Sequence, residues 1–543
     1  MITRFREVRL FGAFLWGLLL LGCSGSPEVR VRKDLPNILV LVADDLGYSD
    51  LGSFGGEIHT PNIDSLAMAG MRFSRFHTAP MCAPSRAMLL TGNDNHVAGL
   101  GRQALEVEVF GYEGHLTERV APLPEILREY GYHTYMAGKW HLGSQPQYNP
   151  QALGFEHSYV LLEGVGNHFN GISFFGPGAT SNYTEDGRTT QWPEGTYSTD
   201  RYTDKLISYI ETQQEDGEPF FAYAAYTAPH WPLQVDKKYS SKYEGRYDAG
   251  YEDLRERRFR SLKDSGLIPE EAELPALHPS IRPWASLSEE EQKRESRKME
   301  IYAGMVDNLD ENIGRIIHHL KEAGVYENTL IIFLSDNGAA GEDYFSDPEI
   351  RPYVNPYFND DFETMGEPDS FISYGPPWAE AATPAFRYYK EFTTNGGIIT
   401  PMIITGPGIG PAGTSEAFAS IMDIAPTVLD LTGIPYPETW KGRSVYPMRG
   451  ESLVPVLSGK KSSAHSEDYV FALEHAEYTM LRKGDWKITN STRPFRESRF
   501  ELFDLSRDLG EQQDLRLQAP EKYRELLKEW EDFSREVRLQ FPR

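Results

Sequence analysis

Apolar and polar positions alternate along the chain in two regular ways, and the first of them predicts strands. Runs of about four to eight mostly apolar residues recur between polar segments, as in strands that are buried on both faces of a sheet. The predicted strands are Asn37–Ala43, 132–136, 219–226, 329–334 and 398–405. Pro401 predicts that the last of them is an edge or irregular strand. The amphipathic segments between the runs favour an α/β fold with a largely parallel or mixed sheet.

The second pattern, apolar residues at helical spacing, predicts helices. One covers residues 60–70 and has Pro61 in its first turn. Another follows a capping box formed by Ser288 and Glu291 and ends at Gly324. The long apolar stripe of this second helix indicates ordinary core packing.

Two segments show neither pattern. Residues 236–295 are highly charged and have little apolar periodicity, which predicts a surface excursion or a lid. Residues 340–378 are rich in Gly, Pro, Tyr and Asp, and a loop of that length in a compact chain is usually functional.

The pattern changes again after about residue 460. Short strand-like runs at 469–472, 479–482, 486–489 and 501–505 precede an amphipathic helix at 519–538. The sequence therefore predicts a large domain at 36–459 and a small C-terminal α+β domain with an antiparallel sheet at 460–543.

The N-terminal 22 residues have the pattern of a bacterial export signal. Three arginines precede an apolar run at 10–21, which is shorter than the ~20 apolar residues of a membrane span. The run ends just before Cys23 and resembles a lipobox, which predicts a lipidated cysteine, a polar tether at 23–35 and a membrane-anchored lipoprotein facing the periplasm or the cell surface. An ordinary cleaved signal and an uncleaved anchor remain alternatives.

Composition narrows the range of functions. The chain has 543 residues, 25% of them charged and 40% hydrophobic, which is typical of a globular protein. Its formal net charge is −26, so it is not expected to bind nucleic acid. An anionic substrate would need a local positive site. The two cysteines exclude a disulfide framework.

Polar side chains with catalytic potential follow several predicted strands. They are Asp44, Asp45, Lys139, His141, His230, Asp336 and Asn337, with Lys390 just ahead of 398–405. The carboxyl ends of parallel strands lie at one edge of a sheet, so these residues are expected to converge. Each alone has an ordinary interpretation, as an Asx turn, a hairpin turn or a solvated rim residue. Their joint occurrence favours a site.

The oxygen-rich residues of this set predict a hard cation. Asp44, Asp45, Asp336 and Asn337 suit calcium or magnesium, whereas zinc would recruit histidine or cysteine. Calcium is favoured for an exported protein.

Cys82 begins the sequence Cys-Ala-Pro-Ser-Arg, which ends at Arg86 and is followed by Leu-Thr-Gly at 90–92. Pro84 fits the first turn of a helix that runs to Leu90, so a nucleophile at Cys82 would face the positive end of that helix. A small, buried apolar cysteine is the alternative. The spacing resembles the signature of the type I sulfatases, in which the cysteine is oxidised to Cα-formylglycine.

The resemblance extends from about residue 36 to the C-terminus, where 501–505 is similar to the family's common closing strand. It includes Asp44-Asp45, Gly138 to His141, Ala228 to Trp231, Asp336 to Gly338, and Lys390 ahead of Gly396-Gly397. The stretches 54–61 and 378–390 look most like bacterial arylsulfatases of the Pseudomonas type. Asn395 departs from the family, because many sulfatases have glutamate there in a Glu-Gly-Gly motif.

The resemblance implies an alkaline phosphatase-like α/β fold with a large mixed sheet flanked by helices. It implies a sulfatase that hydrolyses aryl or carbohydrate sulfate esters to an alcohol or phenol and inorganic sulfate. A maturation enzyme would convert Cys82 to formylglycine, and one calcium ion would be bound. The implied metal ligands are Asp44, Asp45, Cys82, Asp336 and Asn337. The implied catalytic residues are Cys82, Arg86, Lys139, His141, His230 and Lys390.

The roles that follow from the resemblance differ between these residues. Arg86 would bind the aldehyde hydrate and the carboxylates, while Lys139 and Lys390 would neutralise sulfate oxygens. His230 would protonate the departing oxygen, and His141 would draw a proton from the second hydroxyl of the hydrate.

Two other functions fit the same residues. A phosphonate or phosphodiester monoesterase would use the same scaffold and the same formylglycine motif. A non-catalytic lipoprotein that binds sulfated glycans would keep the basic residues without needing the nucleophile or the metal ligands.

Overall fold

The computed structural model describes residues 35–103, 105–213 and 216–541. The predicted signal peptide and the proposed lipidation site at Cys23 lie outside the described residues. Across the part of the chain that is described, no helix is both long and apolar enough to span a membrane.

Eighteen strands occur in the described residues, ten of them in one mixed sheet. The strands are β1 (Asn37–Ala43), β2 (Met71–Phe73), β3 (Phe76–His77), β4 (His133–Lys139), β5 (His157–Leu161), β6 (Tyr183–Glu185), β7 (Arg188–Thr190), β8 (Phe220–Ala225), β9 (Thr329–Ser335), β10 (Met402–Thr405), β11 (Gly413–Ser415), β12 (Ala419–Ser420), β13 (Thr439–Trp440), β14 (Arg443–Ser444), β15 (Val470–His475), β16 (Tyr478–Lys483), β17 (Trp486–Asn490) and β18 (Glu501–Asp504). The large sheet has the order β11-β2-β10-β9-β1-β8-β4-β5-β6-β7.

The centre of the large sheet is parallel. Strand β1 pairs in parallel with β8 on one side and β9 on the other, and β4 pairs in parallel with β8 and β5. In β1, Val40 lies opposite Tyr223 of β8 and Ile332 of β9. All seven residues of β1 are buried, as expected for a strand covered on both faces. The predicted α/β fold with a large mixed sheet is confirmed.

Of the two alternatives predicted for residues 398–405, an edge strand or an irregular one, the edge strand is wrong. The strand is shorter, β10, and lies inside the sheet between β2 and β9, antiparallel to both. Pro401 precedes its first residue, Met402, so the missing N–H removes no ladder hydrogen bond. The carbonyl of Pro401 accepts a hydrogen bond from the N–H of Ser335 at 3.3 Å.

Helices flank the sheet. They are α1 (Pro61–Ala69), α2 (Cys82–Thr91), α3 (Asn95–Ala98), α4 (Leu123–Glu129), α5 (Ser198–Gln213), α6 (Lys237–Ser240), α7 (Gly250–Asp264), α8 (Glu289–Glu322), α9 (Gly375–Ala382), α10 (Asn395–Ile398), α11 (Ile424–Thr432), α12 (Val454–Leu457) and α13 (Pro520–Glu536). Helix α8 contacts α1 and α5. Helix α2 contacts α4 and α11. The predicted capping box of α8 is confirmed, because Ser288 and Glu291 bond each other's backbone N–H.

The first half of the charged segment 236–295 is not a surface excursion. It contains α6 and α7, and α7 is packed against the body of the protein through buried residues such as Leu254 and Leu262. Arg258 in α7 is buried and lies 2.6 Å from Asp50 and 2.8 Å from Glu57. The buried face of α7 contains arginine and tyrosine as well as leucine. The apolar periodicity of the helix is therefore weak in the sequence.

The C-terminal residues form a separate four-stranded antiparallel sheet, β15-β16-β17-β18, against which α13 packs. This agrees with the predicted C-terminal antiparallel sheet. A buried histidine joins the sheet to the large domain. The ring of His96 lies 3.2 Å from the carboxylate of Asp94 and 3.2 Å from that of Glu474 in β15. Burial lowers its pKa, but the two carboxylates outweigh this and raise the pKa to about 9.

This contact predicts a loss of stability in alkaline solution. The folded-state pKa of His96 lies above its unfolded value, so its contribution is fully present below about pH 6.5 and is lost as the pH rises through about 9. The contribution is on the order of 3 kcal/mol. Urea unfolding at pH 6 and pH 9 measures it, with His96→Gln as the control that lacks the titrating group. The same pH dependence in both proteins would contradict the expectation.

Candidate active site

The site is built at the carboxyl ends of the central parallel strands. In the register of the sheet, Ala43 at the end of β1 lies opposite Ser335 at the end of β9. Asp44-Asp45 and Asp336-Asn337 therefore leave the sheet side by side. The N–H of Asp45 donates to Oδ1 of Asp336 at 3.3 Å. The predicted convergence of these two pairs is present in the structure.

Cys82 is the first residue of α2 and is completely buried. Its Sγ lies 3.4 Å from Oδ1 of Asp44 and 3.7 Å from Oδ1 of Asp45. Burial, the largest effect, raises the pKa of the thiol well above its ordinary value, against the charges of Lys139 and Lys390. The side chain predicted as the nucleophile therefore faces the predicted metal ligands.

The three buried aspartates of the site are each paired with a different cation. Lys139, the last residue of β4, places Nζ at 2.8 and 2.7 Å from the two oxygens of Asp44. Nζ of Lys390 lies 2.8 Å from Oδ2 of Asp45. The pairing is completed by Arg86 in α2, whose Nε and Nη2 both lie 2.8 Å from Oδ2 of Asp336. The pairs neutralise one another and make the burial of six charges tolerable.

The surroundings shift the pKa values of these groups in different directions. Burial raises the pKa of Asp336 to about 6, although the charge of Arg86 opposes it. Burial would also raise the pKa of Asp45, but Lys390 and His230 hold it below its ordinary value. Burial lowers the pKa of Lys390, but the surrounding negative charges, Asp45 first among them, together outweigh it and raise the pKa. Asp45 is therefore the more firmly ionised of these two carboxyl groups.

His230 follows β8 and presents one ring nitrogen to the site. Its Nδ1 donates to the carbonyl of Trp231 at 2.6 Å, so Nε2 faces the site and lies 3.4 Å from Oδ2 of Asp45. Nζ of Lys390 lies 3.5 Å from the same nitrogen. Burial lowers the pKa of His230 well below its ordinary value. Burial therefore favours the neutral ring, whose Nε2 is the nitrogen that can accept a proton.

The neighbouring Trp231 is a packing residue. Its side chain is 6% exposed, and its ring contacts those of Phe174, Phe371 and Tyr344 at centroid distances of 5.5, 5.5 and 5.1 Å. Of the two interpretations open from the sequence, a leaving-group contact and a core contact, the structure supports the second.

His141 lies two residues beyond β4, with a φ of 60°. Its ring is packed so closely against Gly164 that a Cβ there would lie 2.4 Å from Cε1. Nδ1 is buried and has no hydrogen-bond partner among the described residues. Burial lowers the pKa of His141 well below its ordinary value. The ring is therefore neutral and fixed in position.

A cavity of about 290 Å³ is lined by His141 and by Ala83, the residue after Cys82. Its lining includes Ala83, Arg102, His115, His141, Tyr148 and Glu163. The rings of His115 and Tyr148 are stacked in parallel with their centroids 3.5 Å apart. The cavity is thus a partly aromatic pocket that includes one of the predicted site residues, His141.

The donor atoms of the site fit a hard cation. One ligand atom from each of Asp44, Asp45, Cys82 and His230 lies within 4.8 Å of all the others. The amide of Asn337 donates to Oδ1 of Asp45 at 2.6 Å, while its own Oδ1 is buried without a partner among the described residues. The carboxylate and amide oxygens suit calcium or magnesium, whereas the sulfur of Cys82 and the ring nitrogen of His230 in the same cluster are ligands that zinc recruits.

Sequence reasoning missed one acid at the site, Glu342. Its Oε1 lies 3.1 Å from Nζ of Lys390, and burial raises its pKa to about 7. The signal available was weak, since Glu342 lies in the segment 340–378, which was predicted to be functional only from its length and composition. Lys390 is therefore held between two carboxylates, those of Asp45 and Glu342.

Comparison with known proteins decides the family. Residues 36–434 match the family described as Sulfatase, and residues 386–538 match the one described as N-sulphoglucosamine sulphohydrolase, C-terminal. This chain belongs to the sulfatase family. The match covers well over half of the sulfatase and includes every residue of the site described above.

Curated relatives of this sulfatase cover nearly its whole length. An uncharacterized sulfatase of Schizosaccharomyces pombe is 43% identical over 92% of this chain and 94% of the relative. An arylsulfatase of Klebsiella aerogenes is 38% identical over 80% of this chain and 95% of the relative. N-acetylgalactosamine-6-sulfatase of the dog, Canis lupus familiaris, is 28% identical over 89% of this chain and 78% of the relative.

Solved structures share the fold of this sulfatase. Ps i-CgsB, solved with a k-i-k-neocarrahexaose, has a TM-score of 0.67 at 24% identity over 94% of both chains. A protein solved with its substrate D-glucosamine-2-N,6-O-disulfate has a TM-score of 0.62 at 22% identity over 93% of this chain and 98% of the other. The predicted alkaline phosphatase-like fold and the predicted enzyme class, a sulfuric ester hydrolase, are confirmed.

Proposed function

We propose that this sulfatase hydrolyses aryl or carbohydrate sulfate esters with a formylglycine made from Cys82 and one bound calcium ion. The observation that carries the proposal is the contact of the Cys82 thiol with Asp44 and Asp45, 3.4 and 3.7 Å away, inside a shell of three buried cations. The reacting side chain, the metal ligands and the groups that attract an anion thus occupy one small volume.

The unmodified thiol is poorly suited to attack an ester. Burial raises the pKa of Cys82, which keeps it protonated, and the thiolate is the reactive form of cysteine. Among the described residues it is also the sole cysteine, and it is buried. Formylglycine, hydrated to a geminal diol, supplies one hydroxyl for attack on sulfur and a second for expulsion of sulfate.

Asp44, Asp45, Asp336 and Asn337 are the proposed ligands of the calcium ion, together with the side chain at Cys82. Carboxylate and amide oxygens are the ligands that this ion prefers. Bound there, calcium lowers the pKa of a ligating hydroxyl and offsets negative charge on sulfate oxygens. Arg86 keeps Asp336 in place. Its Nε and Nη2 contact the carboxylate, while its Nη1 donates to the carbonyl of Lys139 at 2.9 Å and so fixes the guanidinium group.

The electrostatics of the site favour an anion despite the charge of the whole chain. Three carboxylates are balanced by Lys139, Lys390 and Arg86, and a divalent cation would make the centre positive. The protein as a whole carries −26, so this local field must hold a sulfate ester against long-range repulsion. We assign Lys139 and Lys390 to the sulfate oxygens, since both ammonium groups lie beside the proposed ligands.

The two histidines have positions that fit proton transfer. Nε2 of His230 is the ring nitrogen that faces the site, and an anionic ester beside it would raise the pKa and favour the protonated ring. We assign this nitrogen to protonation of the departing oxygen. His141 is neutral and fixed against Gly164, and we assign it to take a proton from the second hydroxyl at residue 82.

The cavity lined by Ala83 and His141 supports a small leaving group. Its volume of about 290 Å³ is at the lower limit of the roughly 300–1,000 Å³ usual for ligand pockets, which suits a single ring. The stacked rings of His115 and Tyr148 offer an aromatic wall to a phenol or a sugar. The names of an arylsulfatase and of an N-acetylgalactosamine-6-sulfatase among the relatives agree with these two classes.

We further propose that the protein is an exported lipoprotein of the bacterial cell envelope. The support is the sequence alone: an export signal at 1–22 and Cys23 at the position where a lipid would be attached. The proposed partners are the membrane, the sulfate-ester substrate and the maturation enzyme. Fractionation of cells that express wild-type and Cys23→Ala protein tests the anchor, since loss of the lipid releases the protein from the membrane fraction.

Mass spectrometry of the peptide that contains Cys82 is the first test of the proposed nucleophile. In protein produced together with a maturation enzyme, we expect the mass of the aldehyde or its hydrate in place of the thiol. The activity should rise in proportion to the converted fraction. An unmodified thiol in fully active protein, under conditions that convert a control sulfatase, would contradict the proposal.

The rival reaction is the hydrolysis of phosphonate monoesters or phosphodiesters. Relative rates on sulfate and phosphonate esters distinguish it from the proposed one. A phosphonate monoester hydrolase of Agrobacterium radiobacter shares the fold, with a TM-score of 0.55 at 20% identity, which shows the fold alone. We expect kcat/KM to be higher for an aryl sulfate than for the matching aryl phosphonate monoester. The opposite order would favour the rival.

A further inference from the structure

The short helix α10 lies between two parts of the active site. It starts at Asn395, where the sequence departs from the Glu-Gly-Gly pattern of many sulfatases. The carbonyl of Gly397 accepts a hydrogen bond from the N–H of Gly338 at 3.0 Å, directly after the proposed metal ligands. The N–H of Gly396 donates to the carbonyl of Arg387 at 3.0 Å, in the loop that carries the site lysine. Backbone hydrogen bonds therefore connect α10 to both parts, and the second of them leads to Lys390.

The loop that carries Lys390 rests directly on α10. A Cβ at Gly396 would lie 1.9 Å from the carbonyl oxygen of Tyr388, and one at Gly397 would lie 2.0 Å from that of Phe392. The backbones are thus in contact with no side chain between them. Tyr388 itself has a φ of 62°, a conformation that persists only where the surroundings enforce it. The position of Lys390 therefore depends on that of α10.

A buried ion pair from the C-terminal part of the chain holds α10 on its other side. Nζ of Lys487 in β17 lies 2.7 Å from Oε1 of Glu511, and both side chains are 0% exposed. Oε2 of Glu511 accepts a hydrogen bond from the N–H of Asn395 at 2.7 Å. Lys487 donates to Oδ1 of Asn395 at 2.8 Å. The carboxylate of Glu511 therefore lies at the turn that begins at Asn395, where many sulfatases have a glutamate in the sequence itself.

We infer that Lys487 and Glu511 are positioning residues that fix Lys390 between Asp45 and Glu342 through the turn at Asn395. Neither touches the reacting atoms. The inference rests on the proposed role of Lys390 in binding the sulfate ester. It gives the C-terminal antiparallel sheet a part in catalysis, because β17 supplies one member of the pair.

The variant Glu511→Gln tests the inference. The glutamine keeps an acceptor for the N–H of Asn395 but removes the charge opposite Lys487. We expect kcat/KM for 4-nitrophenyl sulfate to fall about 10–100-fold, the usual effect of losing a residue that orients a direct participant. The matched control is Glu125→Gln, because the Glu125 carboxylate is also buried and accepts hydrogen bonds, from Trp440 at 2.6 Å and Lys441 at 2.5 Å. The control is expected to keep the wild-type kcat/KM.

A double-mutant cycle separates positioning from general stabilisation. In a Lys390→Ala background, measured with enzyme in excess so that slow turnover is detected, Glu511→Gln should cost no more than about twofold. A residue that only stabilises the fold would lower the active fraction equally in both backgrounds. Losses that multiply, or a folded Glu511→Gln enzyme with wild-type rates, would overturn the inference.

A second variant covers the case in which Glu511→Gln does not fold. Glu511→Asp keeps a charge opposite Lys487, but its shorter side chain does not reach both Lys487 and Asn395. We expect a smaller loss of kcat/KM that is again absent in the Lys390→Ala background, and wild-type activity of a folded Glu511→Asp enzyme would overturn the inference. Failure of the proposed function is distinguishable, because wild-type protein with converted Cys82 would then hydrolyse no sulfate ester.

Discussion

Replacement of Cys82 by serine is expected to give an enzyme that accepts one sulfo group and then stops. Serine places one hydroxyl beside Asp44 and Asp45, whereas the hydrated formylglycine provides two. One hydroxyl suffices to take the sulfo group from the ester, but expulsion of sulfate by C–O cleavage needs the second. We expect multiple turnover to fall by about 10⁴-fold or more, as when a covalent nucleophile is lost.

Intact-mass measurement after incubation with an aryl sulfate checks this prediction. The Cys82→Ser protein should gain the mass of one sulfo group and release one equivalent of phenol in a single burst. Cys82→Ala is the matched control, because it has no hydroxyl and should gain nothing. Sustained turnover by Cys82→Ser at the wild-type rate would show that the second hydroxyl is not required.

Removal of the charge on Asp45 is expected to have the second largest effect. In the structure this carboxylate contacts Lys390, Asn337, His230 and the thiol of Cys82. In Asp45→Asn a neutral amide replaces a ligand of the proposed calcium site. Metal ions contribute several kcal/mol to charge stabilisation, so we expect kcat/KM to fall by about 10³-fold and calcium affinity to fall with it.

Calorimetric titration with calcium and steady-state kinetics test this second prediction together. Chelation of the wild-type enzyme should reproduce the loss, and added calcium should reverse it. Asp307→Asn is the control, since Asp307 is also buried and lies 2.9 Å from Lys242 but belongs to α8, away from the site. Full activity of Asp45→Asn, or of wild-type enzyme in chelator, would argue against a metal at these residues.

The central strands and the residues that follow them were predictable for a simple reason. A strand buried on both faces needs an uninterrupted apolar run, and β1, β8 and β9 have one. Where such a run ends, the first charged residues must lie at the edge of the sheet. Asp44 and Asp336 are those residues, and the parallel pairing of β1 with β9 brings them together.

Patterns of apolar residues failed where burial is achieved by other means. Helix α7 buries arginine and tyrosine with their polar atoms paired, as in the contact of Arg258 with Asp50, so its sequence looks like that of a solvated segment. The sequence pattern does not predict the interior position of β10, because it includes Pro401 in the strand. Pro401 lies one residue outside it, and sequence patterns locate element boundaries poorly.

The sequence by itself determined the family, the fold class and the identity of the residues that meet at the sheet edge, because local apolar runs and short motifs carry that information. The tertiary structure decided which charges pair. Lys139 with Asp44, Lys390 with Asp45 and Arg86 with Asp336 depend on the reach of side chains across neighbouring strands. It also decided that Glu342 and Glu511 take part, since burial makes distant charges pair wherever the folded chain brings them within hydrogen-bond distance.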